Sequence, residues 1–144
     1  MNLYFTVQLK GVIMEEDFEV ADLVMQYMTE LGFDVRNLGY EYFKEAVLLC
    51  CEDKSYLKAI TKKLYPKIAE IYGVSPSSVE RAIRVSIRKA YSIGGLLGIN
   101  DIYDSVIYNN DFIFSNSELI AVIVNKIDYD IRRKRILGKY VPKD

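Results

Sequence analysis

Nine basic side chains fall between residues 54 and 91: Lys54, Lys58, Lys62, Lys63, Lys67, Arg81, Arg84, Arg88 and Lys89, against only Glu70 and Glu80. A cluster of that sign and density suits polyanions, whose phosphate oxygens accept charge-assisted hydrogen bonds and whose condensed counterions are released on contact. Three of the arginines carry a finer signal. At ~100° per residue, Ser77, Arg81, Arg84 and Arg88 fall on one face of a helix, and Val79, Ile83, Ser86 and Ala90 on the opposite one. The basic face then points away from the core, as a nucleic-acid-reading surface requires and as an ordinary solvated helix face also allows. A second basic run, Arg132-Arg133-Lys134-Arg135, either touches phosphates or is a solvated tail.

Other chemistries are poorly supplied. The chain has no histidine, which removes the usual general base, the Ser/His and Cys/His nucleophile pairs, and most zinc and non-haem iron sites. Its two cysteines, Cys50 and Cys51, are adjacent, so they form neither a disulfide framework nor a four-ligand zinc site and read as small buried hydrophobes. Asp101, Asp104 and Asp111 lack calcium-loop spacing and read as an acidic surface. Gly94, Gly95 and Gly98 follow a helix rather than a strand, with no Lys-Ser/Thr after them, so they read as a helix cap and turn and not as a phosphate loop. No enzyme, cofactor or metal is expected.

The elements that position the basic residues follow from periodicity. At 144 residues, with 51% hydrophobic side chains, the chain can bury the core of one domain spanning 1–144. The net charge of −1 conceals segregation: residues 1–53 carry 3 bases and 11 acids, residues 54–91 carry 9 and 2, residues 92–125 have 4 acids and no base, and residues 126–144 have 7 bases and 3 acids. No apolar run is long enough to span a membrane and the N-terminus lacks signal-peptide order, so a cytoplasmic protein without a membrane partner is expected. Residues 3–9 alternate as a strand within an extension covering 1–16. Helices are expected over 17–31, ending at Gly32, and over 40–51, with a short helical stretch at 55–63. Val106-Ile107-Tyr108 and Phe112-Ile113-Phe114, around Asn109-Asn110-Asp111, read as a hairpin within 105–114 that could pair with the N-terminal strand. Ser115-Asn116-Ser117-Glu118 is a capping box into a last helix, with a basic tail over 134–144.

Residues 65–84 are the most specific. With Tyr65 as position one of a helix-turn-helix, Ala69 falls at five, Gly73 at nine and Val79 at fifteen. The motif needs a small residue where two helices approach, a residue tolerant of positive φ in the turn, and apolar anchors on the second helix, here Val79 and Ile83. Ser75-Pro76 is an N-cap followed by proline at the first helical position, opening a second helix over about 76–92.

Four blocks of the chain resemble the DNA-binding effector domain of the sporulation-initiation (stage zero A) response regulator of endospore-forming Firmicutes. They are Gly39-Tyr40 with Glu45-Ala46-Val47, Ile60 to Pro66 with Ile68-Ala69, Val79 to Arg84, and Asn116 to Ala121. The resemblance covers roughly residues 18–133, within an effector domain placed at 17–133. It implies a mainly α fold of about six helices, to which residues 3–9 and 105–114 would add a small β element. It also implies a recognition helix in the major groove of double-stranded promoter DNA, tandem copies on DNA, and contact with the transcription machinery. Glu80 and Arg81 match the family's base-reading positions, and Arg84 a basic position of the same motif. Ser78 stands where the family has a guanine-reading Arg, a change worth about 1–3 kcal/mol of discrimination at one base pair. Only about 17 residues precede the first helix, too few for the family's receiver domain.

The expected function is sequence-specific DNA binding in transcription regulation, with Glu80, Arg81 and Arg84 at base edges and Lys62, Lys63, Lys67, Ser77 and Arg88 at phosphates. The competing expectation is a receiver-less interaction module that modulates a full-length relative, or another partner, without specific DNA binding. It is motivated by Ser78, the short N-terminus and a pI of about 5.6. Homodimers, on or off DNA, fit either reading.

Overall fold

A computed structural model describes residues 15–139, and these form helices and turns without a strand. Six α-helices follow in order: α1 (Glu15–Glu30), α2 (Leu38–Glu52), α3 (Tyr65–Tyr72), α4 (Pro76–Ser92), α5 (Gly98–Tyr103) and α6 (Asn116–Lys139). The short helical stretch expected at 55–63 is a 3-10 turn (Lys54–Lys58) followed by a π turn (Ile60–Leu64). Asp53 caps the first through the Ser55 N–H at 2.9 Å, and in the second Leu64 N–H bonds back five residues to the Ala59 carbonyl at 3.1 Å.

The apolar stripes of these helices meet in one core. Met28 of α1 and Leu31 just after it, Phe43 and Val47 of α2, Leu64 and Ile68, Ile83 and Ile87 of α4, and Leu119, Ile120 and Ile123 of α6 are all fully buried. α2 lies at the centre, packed on α1, α4 and α6. Its approach to α4 is very close. A Cβ added to Gly39 would sit 2.1 Å from both the Ala82 carbonyl oxygen and Ser86 Oγ, so only glycine fits where the two helices touch. Cys50 is buried and Cys51 half-buried, and both thiols are free.

The hairpin expected within 105–114 does not form. The segment is an irregular loop whose backbone groups are taken by a side chain from α5: Asn100 Oδ1 accepts the Ile107 and Tyr108 N–H groups at 2.9 Å, and its Nδ2 donates to the Tyr108 carbonyl at 2.7 Å. Tyr108 fills the core edge, donates its hydroxyl to the Phe112 carbonyl, and packs edge-on against the Phe112 ring and at a tilt against Phe114. Val106 and Ile107 face solvent instead of alternating in and out. The expected strand at 3–9 lies outside the described residues, and the small β element is absent from residues 105–114. α6 runs on to Lys139, so residues 134–139, expected as tail, continue the helix.

Candidate nucleic-acid interface

The π turn, α3 and α4 present the basic residues. Pro66 lies in the first turn of α3, and Gly73 ends that helix in the left-handed region at φ 67°, with the Ala69 carbonyl accepting the N–H groups of Gly73 and, at 3.0 Å, of Val74. Ala69 is buried at the crossing with α4. Ser75 then caps α4, its hydroxyl accepting the Ser78 N–H at 3.2 Å, and Pro76 occupies the first turn. Val79, Ile83, Ser86, Ile87 and Ala90 anchor the inner face of α4, so the helix can roll in neither direction without opening the core.

That anchoring decides what α4 shows to solvent. Ser77, Ser78, Arg81, Val85, Arg88 and Lys89 are exposed; Glu80 and Arg84 are half-buried. Arg84 Nε donates to Glu80 Oε1 at 3.0 Å, an i,i+4 pair that aligns the guanidinium along the helix. Such a pair at the surface contributes little stability, about 0.3–0.5 kcal/mol. Its effect is orientation. The hydroxyls of Ser77 and Ser78 gather on Ser75 Oγ at 3.1 and 2.8 Å, leaving the first turn of α4 polar and free of bulky side chains.

The lysines lie alongside. Lys62 and Lys63 project from the π turn and are exposed, and Lys67 of α3 is half-buried. Lys63 and Lys67 line a cleft of about 380 Å³ with Asp53, Ser55, Tyr56, Pro66 and Glu70. The structure therefore places the nine predicted residues on three consecutive elements: the π turn, α3 and α4.

Two contributors escaped the sequence reading. Val85 is 40% exposed one turn beyond Arg81, an apolar side chain on the outward face where only polar ones were expected. Asn116, read as part of a capping box, is buried at the start of α6. Its Nδ2 donates to the Tyr65 hydroxyl and to the Glu80 carbonyl, both at 3.0 Å, tying the first turn of α6 to both helices of the pair. The capping box itself is present: Ser115 N–H donates to Glu118 Oε1 at 2.9 Å, and Glu118 N–H to Ser115 Oγ at 3.2 Å. Those hydrogen bonds to Ser115 hold the Glu118 carboxyl below its usual range. No sequence signal points to Asn116 as a tie, because its partners lie 36 and 51 positions away.

A helix, a tight turn closed by a left-handed glycine, and a second helix with an outward basic stripe make up a helix-turn-helix, a motif found in many DNA-binding domains. Residues 24–127 match the family model described as sporulation initiation factor Spo0A C terminal, and the chain belongs to that family. The family is one of DNA-binding domains that regulate transcription in sporulation, and the protein is a DNA-binding regulator of that kind. Among the described residues, no helix is long and apolar enough to cross a membrane.

Proposed function

We propose that this protein is a sequence-specific transcription regulator whose helix α4 enters the major groove of promoter DNA. The observation that carries the reading is the outward face of α4, where Arg81 is exposed and Arg84 is aligned by Glu80 on a helix whose opposite face is locked into the core. Arg81 and Arg84 would read guanine edges through two donors each, and the Glu80 carboxylate would accept from a cytosine amino group. Lys62, Lys63, Lys67, Ser77 and Arg88 would bind phosphates on either side and set register without reading sequence.

Ser78 is too short for a bidentate guanine contact, so one position of the family's usual target is expected to be relaxed. Val85 offers an apolar contact of the kind that favours the thymine methyl group. Promoter DNA in duplex form is thus the partner. Binding as a homodimer or as tandem copies, and contact with the transcription machinery, belong to the same proposal.

The test is selection of binding sites from a random duplex library at about 0.15 M salt, where weak non-specific binding is partly suppressed. An enriched motif with one relaxed position is the expected result. No enrichment by the folded protein would refute the reading and favour an interaction module acting through a protein partner. The roles separate further by substitution. Arg81→Ala should change sequence preference, whereas Lys63→Ala should weaken all sequences alike and lower the salt dependence by about one counterion.

A further inference from the structure

We propose that the segment between Asn110 and Asn116 runs along one flank of α4 as a wing, laying Phe112 and Ile113 against the sugar edges of the duplex whose bases α4 reads. The inference rests on the reading of α4 as the DNA-facing helix.

Both ends of the segment are tied to α4. The Tyr91 hydroxyl donates to the Asn110 carbonyl at 3.3 Å, and Asn116 Nδ2 donates to the Glu80 carbonyl at 3.0 Å. At ~100° per residue, with Glu80 at zero, Tyr91 falls at ~20° and Arg84 at ~40°, whereas Arg88 and Arg81 fall at ~80° and ~100°. The two ties therefore hold the segment at the edge of the outward basic stripe, next to Arg84. The far side of α4 belongs to α2, since Ala82 and Ser86, at ~200° and ~240°, are the residues that meet Gly39.

The length of the segment keeps it there. Glu80 and Tyr91 stand about 16 Å apart along the helix at ~1.5 Å per residue, and a span from 110 to 116 reaches about 20 Å when fully extended. Such a span follows the flank closely. Phe112 and Ile113, midway along it, pass beside the turn of α4 that carries Arg84.

The segment is also braced from within. Asn110 turns the chain at φ 65°, a left-handed conformation that asparagine tolerates. The rings of Tyr108, Phe112 and Phe114 are in mutual contact, with centroids 4.8–5.1 Å apart. Phe112 is nevertheless 48% exposed and Ile113 44%. Val106 and Ile107, the other exposed apolar pair of this loop, are held toward α5, where Asn100 Oδ1 takes the Ile107 N–H.

Charge decides what kind of contact this is. Residues 92–125 carry no base, so the wing cannot grip phosphates. Its acids are occupied by their own neighbours: the Asp111 carboxylate lies 2.6 Å from the Asn109 side-chain amide, and Glu118 Oε1 takes the Ser115 N–H at 2.9 Å. The apolar pair is what remains to be presented. Beside a helix in the major groove, such side chains meet deoxyribose and base methyl groups, or wedge against a base step. A contact of that kind adds affinity without releasing counterions.

The experiment combines a position measurement with a salt titration on a selected site flanked by ten base pairs on each side. Ile113→Cys is labelled with an iron–EDTA reagent, and the parent chain, treated alike, controls for Cys50 and Cys51. Ascorbate-driven cleavage should cluster on one side of the site for the labelled variant and be absent for the control. In fluorescence anisotropy, Ile113→Ala should weaken binding several-fold with the slope of log Kd against log salt unchanged. Ile113→Lys should raise that slope by about one, because it places an ammonium beside the backbone. No cleavage above the control, with Kd and slope unmoved in both variants, would overturn the proposal and leave the apolar pair to a protein partner. A lower slope for Ile113→Ala would overturn it as well, by showing that residue 113 acts only through the basic side chains. If the parent shows no sequence preference, the role of α4 fails separately. The slope of Ile113→Lys on a random duplex then decides the wing, because counterion release is independent of sequence.

Discussion

Replacing Gly39 by alanine adds one methyl group at the tightest helix contact near the candidate interface. The new Cβ would lie 2.1 Å from the Ala82 carbonyl oxygen and from Ser86 Oγ, and 2.8 Å from the Ala82 carbonyl carbon. Ordinary contact begins near 3.4 Å, so α2 and α4 would have to part by roughly 1.3 Å. The Ser86 hydroxyl can turn aside, but the carbonyl is fixed in the hydrogen-bond ladder of α4. Alanine is favoured over glycine in a helix by up to about 1 kcal/mol. Overpacking costs about 1–3 kcal/mol and sometimes more, and here the obstacle is backbone, which places the cost at the upper end. The net expectation is a loss of about 2 kcal/mol, or about 6–8 °C in Tm for a domain of this size. Urea unfolding followed by circular dichroism at 222 nm measures it directly, with m expected to stay constant. Ser86→Ala in the same chain clears one obstacle and leaves the carbonyl, so it should restore only part of the loss. Alone it should be neutral or mildly stabilising, since Ser86 Oγ is buried without a hydrogen-bond partner. A Gly39→Ala protein as stable as the parent, or one fully rescued by Ser86→Ala, would refute the account of how α4 is seated.

Asn116→Ala removes both donors to Tyr65 and Glu80 and should cost about 1–3 kcal/mol in urea unfolding, the range for leaving buried partners unpaired. Gly73→Ala meets no atom within 4 Å, so its whole effect should come from holding a side-chain-bearing residue at φ 67°, a loss of about 1–2 kcal/mol with no change in oligomer size by sedimentation. Burial pushes the thiol of Cys50 up to about 11 and that of Cys51 up to about 12, so at pH 8 both are almost wholly protonated. Reaction of the native protein with a disulfide reagent at that pH should be slower than that of a free cysteine by roughly a hundredfold or more, and should reach the free rate only on unfolding.

The helix pair was legible because its requirements are local. A small residue at 69, a glycine at 73, a Ser-Pro start at 75–76 and an apolar anchor at 79 each state one geometric need within fifteen residues, and the structure meets them in that order. The long last helix was legible for the same reason, through Ser115 and Glu118. The loop over 105–114 was misread because Val106 to Tyr108 and Phe112 to Phe114 mimic the apolar runs and turn-rich centre of a hairpin. Its conformation is decided by Asn100, a side chain on a different element that supplies the hydrogen bonds a second strand would have offered. Close approach hides in the same way. Gly39 was visible only as part of a resemblance, since nothing in its neighbours announces that α4 passes within a methyl group of it. In the candidate site, the basic stripe could be placed by counting, but Val85 and Asn116 could not. One breaks the polar pattern of its face, and the other acts on partners 36 and 51 positions away.

The π turn at Ile60–Leu64 has a consequence for evolutionary comparison. Its defining bond, from Leu64 N–H back to the Ala59 carbonyl, encloses one residue more than an α-helical turn does. Such a turn behaves as a single-residue insertion absorbed inside a helix, with the surplus bulging outward at exposed positions such as Thr61 and Lys62. Leu64 and everything after it keep their facing toward the core whether or not the surplus residue is present. A homologue one residue shorter at this point would retain the same helix pair and the same outward stripe, differing only in where its first lysines fall. Alignments of this family should therefore open their gap at the π turn, ahead of the helix pair and not within it.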